Sequence, residues 1–174
     1  MYNYRILLQY DGGRYDGWQR LGKDNSTNTI EAKLKDILSK MTGEDVDIFC
    51  ASRTEKGVHA CGQIANFKLN TSQKDYELRN YLNRYLPRDI AVLKVEAVDD
   101  RFHSQLNAKA RVYEYRLDTA DIADVFNRRY CYHTFECLTL IICVRQQIIL
   151  LENMILNHLQ LQKRANQQSD VLTV

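Results

Sequence analysis

The chain has 174 residues, 45% of them hydrophobic and 26% charged, which is long enough for one domain, or for one domain and part of another. Its formal net charge of +2 excludes a global excess of positive charge, so any nucleic-acid surface must be a local patch. No apolar run reaches the roughly 18 residues of a membrane span, and no basic leader with an apolar core begins the chain, so we expect a cytoplasmic protein. The five cysteines are odd in number and form no CxxC pair, which favours reduced thiols over a disulfide framework.

The first predicted elements are a strand and a helix. Apolar and β-prone residues from Tyr4 to Tyr10 predict a strand that stops at the turn cluster 11–13. Ser26 or Thr27 can cap the following helix, and Gly43 ends it. Apolar residues recur within it at three- and four-residue steps, which predicts an amphipathic helix: they are Ile30, Leu34, Ile37, Leu38 and Met41.

The next segments complete a mixed domain. Alternating residues predict strands from Val46 to Ala51 and from Gln63 to Leu69. A second helix is predicted from Tyr76 to Tyr85, ended by Pro87, and a further strand from Ile90 to Val98. The resulting order, β-α-β-β-α-β, is the split βαβ or ferredoxin-like motif, so we predict an α+β fold.

Several short motifs follow one another along the chain. The longest is Ser52-Arg53-Thr54-Glu55-Lys56-Gly57-Val58-His59-Ala60, between the second and third predicted strands. The others are Tyr10-Asp11-Gly12, Gly17-Trp18-Gln19, Gly62-Gln63, Leu86-Pro87, Asp89-Ile90, Phe102-His103, and Tyr113 with Tyr115. Together, over residues 3 to 136, they resemble the tRNA pseudouridine synthase A family, and ordered agreement of several motifs is more specific than any one of them.

The resemblance implies a fold, an activity and a site. It implies the pseudouridine synthase fold and the isomerisation of uridine to pseudouridine in the anticodon stem-loop of tRNA, by a homodimer with no metal or organic cofactor. Glu55 stands where the family has its catalytic aspartate. Arg53 would pair with this carboxylate or with a phosphate, and Tyr113 would stack on the target base. The additional methylene of Glu55 predicts a large loss of rate, because catalytic geometry tolerates only about 0.5 Å of misplacement.

The RNA-binding candidates are basic residues and a histidine near these motifs: Arg14, Arg20, Lys23, Lys56, His59 and Arg111. The apolar neighbours of His59 are also typical of a structural hydrogen-bonding residue. Two alternatives stay open. Arg53 and Glu55 can form a surface ion pair on a β-turn, and the chain can be a non-catalytic RNA-binding module or an inactive truncated fragment.

The resemblance divides the chain into three parts. Residues 1–105 form the ferredoxin-like domain with the active-site loop 52–60, residues 106–136 begin a second catalytic domain with a strand from Ala108 to Asp118, and residues 137–174 do not match. In the shifted reading frame, the degenerate code permits the family-like string MRAAADYLIGKHDF near Ile142 to Leu156. We therefore hypothesise a frameshifted tail and an incomplete second domain. The alternative is an authentic divergent helix, since its apolar residues keep an approximate helical spacing: Ile148, Leu151, Ile155 and Leu159.

Overall fold

The computed structural model describes residues 1–19, 27–71, 73–134, 160–162 and 169–173. The chain divides into two compact units, Met1–Lys109 and Ala110–Val174. Two predicted RNA-binding residues, Arg20 and Lys23, lie outside the described residues, and so does most of the tail for which a frameshift or a divergent helix was predicted.

The first unit has the predicted β-α-β-β-α-β order. Its elements are β1 (Tyr2–Tyr10), α1 (Ile30–Thr42), β2 (Ile48–Cys50), β3 (Ala60–Leu69), α2 (Asp75–Tyr85) and β4 (Ile90–Val98). The strands lie in the order β2-β3-β1-β4, and each neighbouring pair is antiparallel. β1 and β2 therefore run in the same direction with β3 between them, which is the split βαβ arrangement. The predicted α+β, ferredoxin-like fold is confirmed.

The alternation of residues along β1 decides which face of the sheet is buried. Tyr4, Ile6, Leu8 and Tyr10 point to one face, where they join a single core cluster with both helices. Full burial of an aliphatic or aromatic side chain stabilises the fold by roughly 1.5–3 kcal/mol. The cluster also contains Ala65, Phe67 and Leu69 from β3, Ile30, Leu34 and Leu38 from α1, and Leu78 and Leu82 from α2.

Helix α1 begins later than the sequence predicts. Thr29 is its N-cap, with Oγ1 accepting a hydrogen bond from the amide of Ala32 at 3.3 Å, so the prediction of Ser26 or Thr27 is wrong. The amides of Ile30 and Glu31 donate to the carbonyls of Gly17 and Trp18 at 3.2 and 3.0 Å. These acceptors come from another part of the chain, so no local pattern could reveal them. The helix ends at Gly43, as predicted, with φ of 75°.

The strands flanking loop 52–60 also differ from the prediction. β2 covers Ile48–Cys50 only, whereas β3 begins at Ala60, three residues earlier than predicted, and pairs there with Tyr10. The register between β1 and β3 shifts between Leu8 and Tyr10. Irregular pairing of this kind bends a strand and extends the contact of β3 with the end of β1.

Residues 99–107 fold against the other face of the sheet. The side-chain amide of Asn3 donates to the carbonyls of Asp99 and Phe102, each at 2.9 Å. Asn66 Oδ1 accepts a hydrogen bond from the amide of Ser104 at 2.8 Å. Asn3 and Asn66 are each 2% exposed, so the segment with the Phe102-His103 motif is held by buried polar contacts.

The second unit contains β5 (Glu114–Asp118), β6 (Tyr132–His133), β7 (Gln160–Gln162) and β8 (Ser169–Thr173), in the order β6-β5-β8-β7. The strand predicted from Ala108 is wrong for its first six residues, because pairing of β5 with β8 begins at Glu114, opposite Thr173. Alternation alone does not make a strand without a neighbour to pair with. No helix in the described part of the chain is long and apolar enough to cross a membrane.

Candidate active-site loop

Loop 52–60 connects β2 to β3 and carries Glu55 and Arg53 with both side chains exposed. Within the described residues, no hydrogen bond or ion pair reaches the Glu55 carboxylate or the Arg53 guanidinium. The surface ion pair between them, left open by the sequence, is therefore not formed. The Glu55 carboxylate is exposed and can meet a ligand.

Backbone hydrogen bonds fix the loop on both sides of Glu55. The amide of Trp18 donates to the carbonyl of Thr54 at 2.9 Å, and the amide of Gly57 donates to the carbonyl of Tyr15 at 3.2 Å. The segment after β1 therefore lies against the loop and holds the residues that flank the carboxylate.

Two glycines permit this close approach. Gly17 has φ of 96°, and a Cβ placed on it would lie 2.7 Å from the carbonyl oxygen of Thr54. A Cβ on Gly12 would lie 1.9 Å from the carbonyl oxygen of Val58. Real Cβ atoms are not found at such distances from backbone oxygens, so any larger residue would displace one of the two segments.

A relay of polar side chains joins the loop to the core. The hydroxyl of Tyr10 lies 2.8 Å from Thr54 Oγ1, and the amide of Gln63 donates to the carbonyl of Ser52 at 2.5 Å. The same amide lies 3.5 Å from the Tyr10 hydroxyl. Burial raises the pKa of Tyr10 despite the opposing hydrogen bonds from Thr54 and Gln63, so the phenol stays neutral and keeps its proton.

Lys56 and Arg14, both predicted to bind RNA, form exposed ion pairs. Lys56 Nζ lies 2.8 Å from an oxygen of Asp16, and this hydrogen bond raises the pKa of Lys56. The Arg14 guanidinium bonds to Asp89 through Nε at 3.1 Å. The Lys56 and Arg14 side chains are 81% and 73% exposed, so both can still reach a phosphate.

Asp89 joins this arrangement to the turn before β4. The Tyr15 hydroxyl donates to Asp89 Oδ1 at 2.6 Å, and the amide of Asp11 donates to the Asp89 carbonyl at 2.9 Å. Burial alone would raise the pKa of Asp89, but the hydrogen bonds from Tyr15 and Arg14 outweigh it and the pKa is lowered. Burial, followed by the bond to this carboxylate, raises the pKa of Tyr15.

His59 lies against the turn after β1. Its Nδ1 is 3.2 Å from the amide nitrogen of Gly12 and 3.0 Å from Asp11 Oδ1. A neutral ring accepts from the amide, whereas a protonated ring donates to the carboxylate, and one nitrogen cannot do both at once. His59 therefore has structural partners in either state.

Tyr113 and Arg111 belong to the second unit, where Tyr113 directly precedes β5 and is 39% exposed. Arg111 is exposed as well. The other described candidates, Arg14, Arg53, Glu55, Lys56 and His59, belong to the first unit. In the described residues, no group of three or more histidine, cysteine, aspartate or glutamate side chains has a geometry that could hold a metal ion.

The sequence did not assign functional roles to Asp89 and Gln63. Both occur in short motifs, Asp89-Ile90 and Gly62-Gln63, and those motifs were the available signal. Their partners are 74 and 11 residues away in the sequence, at Tyr15 and Ser52, so their roles depend on the tertiary fold.

Comparison with known proteins agrees with this arrangement. Residues 6–107, which include the whole of loop 52–60, match the family model described as tRNA pseudouridine synthase. A tRNA pseudouridine synthase A from Bacillus sp. (strain KSM-64) is 50% identical over 133 residues, which cover 76% of this chain and 54% of that protein. A tRNA pseudouridine synthase A 2 from Bacillus cereus (strain ATCC 14579) is 44% identical, again over 76% of this chain and 54% of that protein. A tRNA pseudouridine synthase A 1 from Clostridium tetani is 43% identical over 80% of this chain and 56% of that protein. The chain thus spans about half the length of these curated relatives. On the match over most of its first unit, the chain belongs to the tRNA pseudouridine synthase family.

Proposed function

We propose that the chain carries the catalytic loop of a tRNA pseudouridine synthase, which isomerises uridine in the anticodon stem-loop of tRNA. The observation that carries this proposal is an exposed Glu55 carboxylate, with no hydrogen bond or ion pair to the described residues, on a loop whose flanking residues are fixed by backbone contacts. Family membership supplies the reaction, since the matched relatives are named as tRNA pseudouridine synthases.

The reaction suits a carboxylate. The N1–C1′ glycosidic bond breaks, the base rotates, and a C5–C1′ bond forms while C5 loses a proton and N1 gains one. A carboxylate can attack as a covalent nucleophile or stabilise the positive charge that develops on the sugar. Because no electron is gained or lost, the isomerisation needs no redox cofactor.

Glu55 differs from the family's aspartate in length. The additional methylene lengthens the side chain by about 1.5 Å, whereas catalytic groups must be held within about 0.5 Å. Gly12 and Gly17 allow close contact between the loop backbone and the segment after β1, so we expect the side chain and not the backbone to take up the difference in length. We therefore expect slow isomerisation compared with a matched aspartate variant.

Arg53 and Tyr113 are the other residues proposed to be catalytic. The exposed guanidinium of Arg53, two residues before Glu55, would bind a phosphate of the RNA. Tyr113 would stack on the target base. Lys56, Arg14 and Arg111 would make phosphate contacts, which position RNA without reading its sequence.

Release of tritium from C5 of labelled uridine in tRNA tests the catalytic proposal. The purified chain should release label above background, and Glu55→Gln, which keeps the side-chain shape without the charge, should not. Equal release by both would contradict the catalytic role proposed for Glu55. If the parent, Glu55→Asp and Glu55→Gln all fail to release label, the catalytic function proposed for this chain is contradicted.

A non-catalytic RNA-binding module is the second candidate, and the glutamate at position 55 favours it. Exposed Lys56, Arg14 and Arg53 would give phosphate contacts, and tRNA affinity would then fall steeply with salt. Binding measured by fluorescence anisotropy between about 50 and 200 mM salt tests this candidate. No binding even at the lower salt concentration would contradict both candidates.

The proposal includes further points that follow from the family resemblance. A tRNA partner and a cytoplasmic location follow from the substrate, and a homodimer would be the assembled state. The second catalytic domain would begin at residue 106 and end in a frameshifted tail from residue 137. Sequencing the DNA that encodes Phe135 through the codons beyond Val174 tests the last point: an open shifted frame with the family-like string supports it, and a closed one contradicts it.

A further inference from the structure

Two polar side chains are buried among the apolar residues of the sheet face that packs against the helices. Tyr10 is 4% exposed and Gln63 is 6% exposed. Leu8 of β1, Ala65 of β3 and their neighbours on this face are apolar. Burying an amide or a hydroxyl is unfavourable unless it is hydrogen-bonded. Two apolar side chains at these positions would therefore pack in the core equally well. The hydrogen-bond partners of Tyr10 and Gln63 indicate why polar groups are present instead.

Both polar groups bond to loop 52–60. Tyr10 reaches Thr54 Oγ1 at 2.8 Å, and Gln63 reaches the carbonyl of Ser52 at 2.5 Å. The Gln63 amide can donate to the Tyr10 oxygen, and either of the Tyr10 and Thr54 hydroxyls can donate to the other. The relay thus ends on the residue immediately before Glu55.

We propose that Tyr10 and Gln63 are positioning residues that hold Thr54 and thereby fix the placement of the Glu55 carboxylate. The backbone bonds to Trp18 and Tyr15 hold the loop against the segment after β1. The side-chain relay adds a second attachment, so Thr54 is held through its backbone carbonyl by Trp18 and through its side chain by Tyr10. The catalytic part of this inference rests on the proposed function, whereas the structural part does not.

Matched variants separate the relay from ordinary packing. Thr54→Val removes the hydroxyl with little change of shape, and Thr54→Ser keeps it. Tyr10→Phe removes the phenolic oxygen of the relay. Tyr4→Phe is its control, because Tyr4 is equally buried in β1 but its hydroxyl lies 3.5 Å from the carbonyl of Gln73, away from the loop.

Hydrogen exchange of the full chain is the first readout. The amides of Trp18, Gly57 and Val58 are bonded in or against the loop and report its opening. Tyr10→Phe and Thr54→Val should accelerate their exchange about tenfold, the typical effect of one hydrogen bond. Thr54→Ser and Tyr4→Phe should leave it unchanged. Unchanged exchange in Tyr10→Phe and Thr54→Val would overturn the proposal, whatever the activity.

Tritium release is the second readout. Thr54→Val should lower kcat by about 10- to 100-fold, the effect of a small misplacement of the reacting group, with KM unchanged and with rescue by Thr54→Ser. A rise in KM at constant kcat would assign Thr54 to substrate binding and overturn the positioning role, as would faster exchange with unchanged kcat. If no variant and no parent releases label, the proposed function fails, and the exchange result alone decides whether the relay positions the loop.

Discussion

Replacing Gly17 with alanine should destabilise the first unit by pushing loop 52–60 away from the segment after β1. Gly17 combines φ of 96° with a Cβ position 2.7 Å from the Thr54 carbonyl oxygen. The positive φ alone costs an alanine about 1–2 kcal/mol. Relief of the clash would move a carbonyl that accepts from the Trp18 amide, which adds about 1 kcal/mol for the weakened hydrogen bond. The expected total loss in the free energy of unfolding is therefore about 2–3 kcal/mol.

Gly43→Ala is the matched control. Gly43 also has a positive φ, 75°, but a Cβ there would meet nothing within 4 Å. Its alanine variant should lose only the conformational part, about 1–2 kcal/mol. The difference between the two variants measures the contact with the loop.

Urea denaturation followed by tryptophan fluorescence suits this comparison, because Trp18 is the one tryptophan of the sequence and is 1% exposed next to Gly17. Gly17→Ala should lose at least about 1 kcal/mol more than Gly43→Ala. Equal losses would refute the reasoning, since they would show that the loop accommodates a Cβ at position 17 without a loss in the free energy of unfolding.

Three further results are expected. Asp89 has a lowered pKa in the folded chain, so its stabilising effect is present above the unfolded pKa of about 3.9 and is lost as pH falls through the folded value. Between about pH 5 and pH 2, the parent should therefore lose more free energy of unfolding than Asp89→Asn. Parallel urea titrations that give equal losses would contradict this expectation. Glu55→Asp should raise the rate of tritium release at least about tenfold, and a rate equal to that of the parent would show that side-chain length is not limiting. Asn66→Ala should lower the free energy of unfolding by about 1–3 kcal/mol and speed proteolysis within 99–107, whereas Asn80→Ala on the exposed side of α2 should do neither.

The sequence predicted the fold wherever a periodic pattern met a local stop signal. β4 has the predicted bounds, Ile90–Val98, because Pro87 ends the preceding helix and an apolar run follows. α1 ends as predicted at Gly43, which adopts the left-handed conformation that a helix end favours. Where the first residue of a helix or strand depends on a partner from another segment, as at Thr29 and Glu114, the predicted boundary was wrong.

The position of the candidate loop in the fold could be predicted for the same reason. The motif around Glu55 identified the loop, because a short run of residues carries that information. The attachments of the loop could not be predicted, since Gly17 against Thr54 and Tyr10 with Gln63 are contacts between segments far apart in the sequence. The ion pair of Arg14 could not be predicted either, because its partner Asp89 lies 75 residues away in the sequence.

These attachments of the loop affect where the carboxylate of Glu55 can lie. A flexible loop could absorb an additional methylene by moving back, and Glu55 would then deliver its carboxylate to the same place as an aspartate. In this chain Gly12 and Gly17 already bring the two backbones into close contact. We therefore expect the Glu55 side chain, and not the loop backbone, to take up the extra length. A difference in rate between Glu55 and Glu55→Asp would consequently report the reach of one side chain, and a Gly17 variant that loosens the loop should narrow that difference.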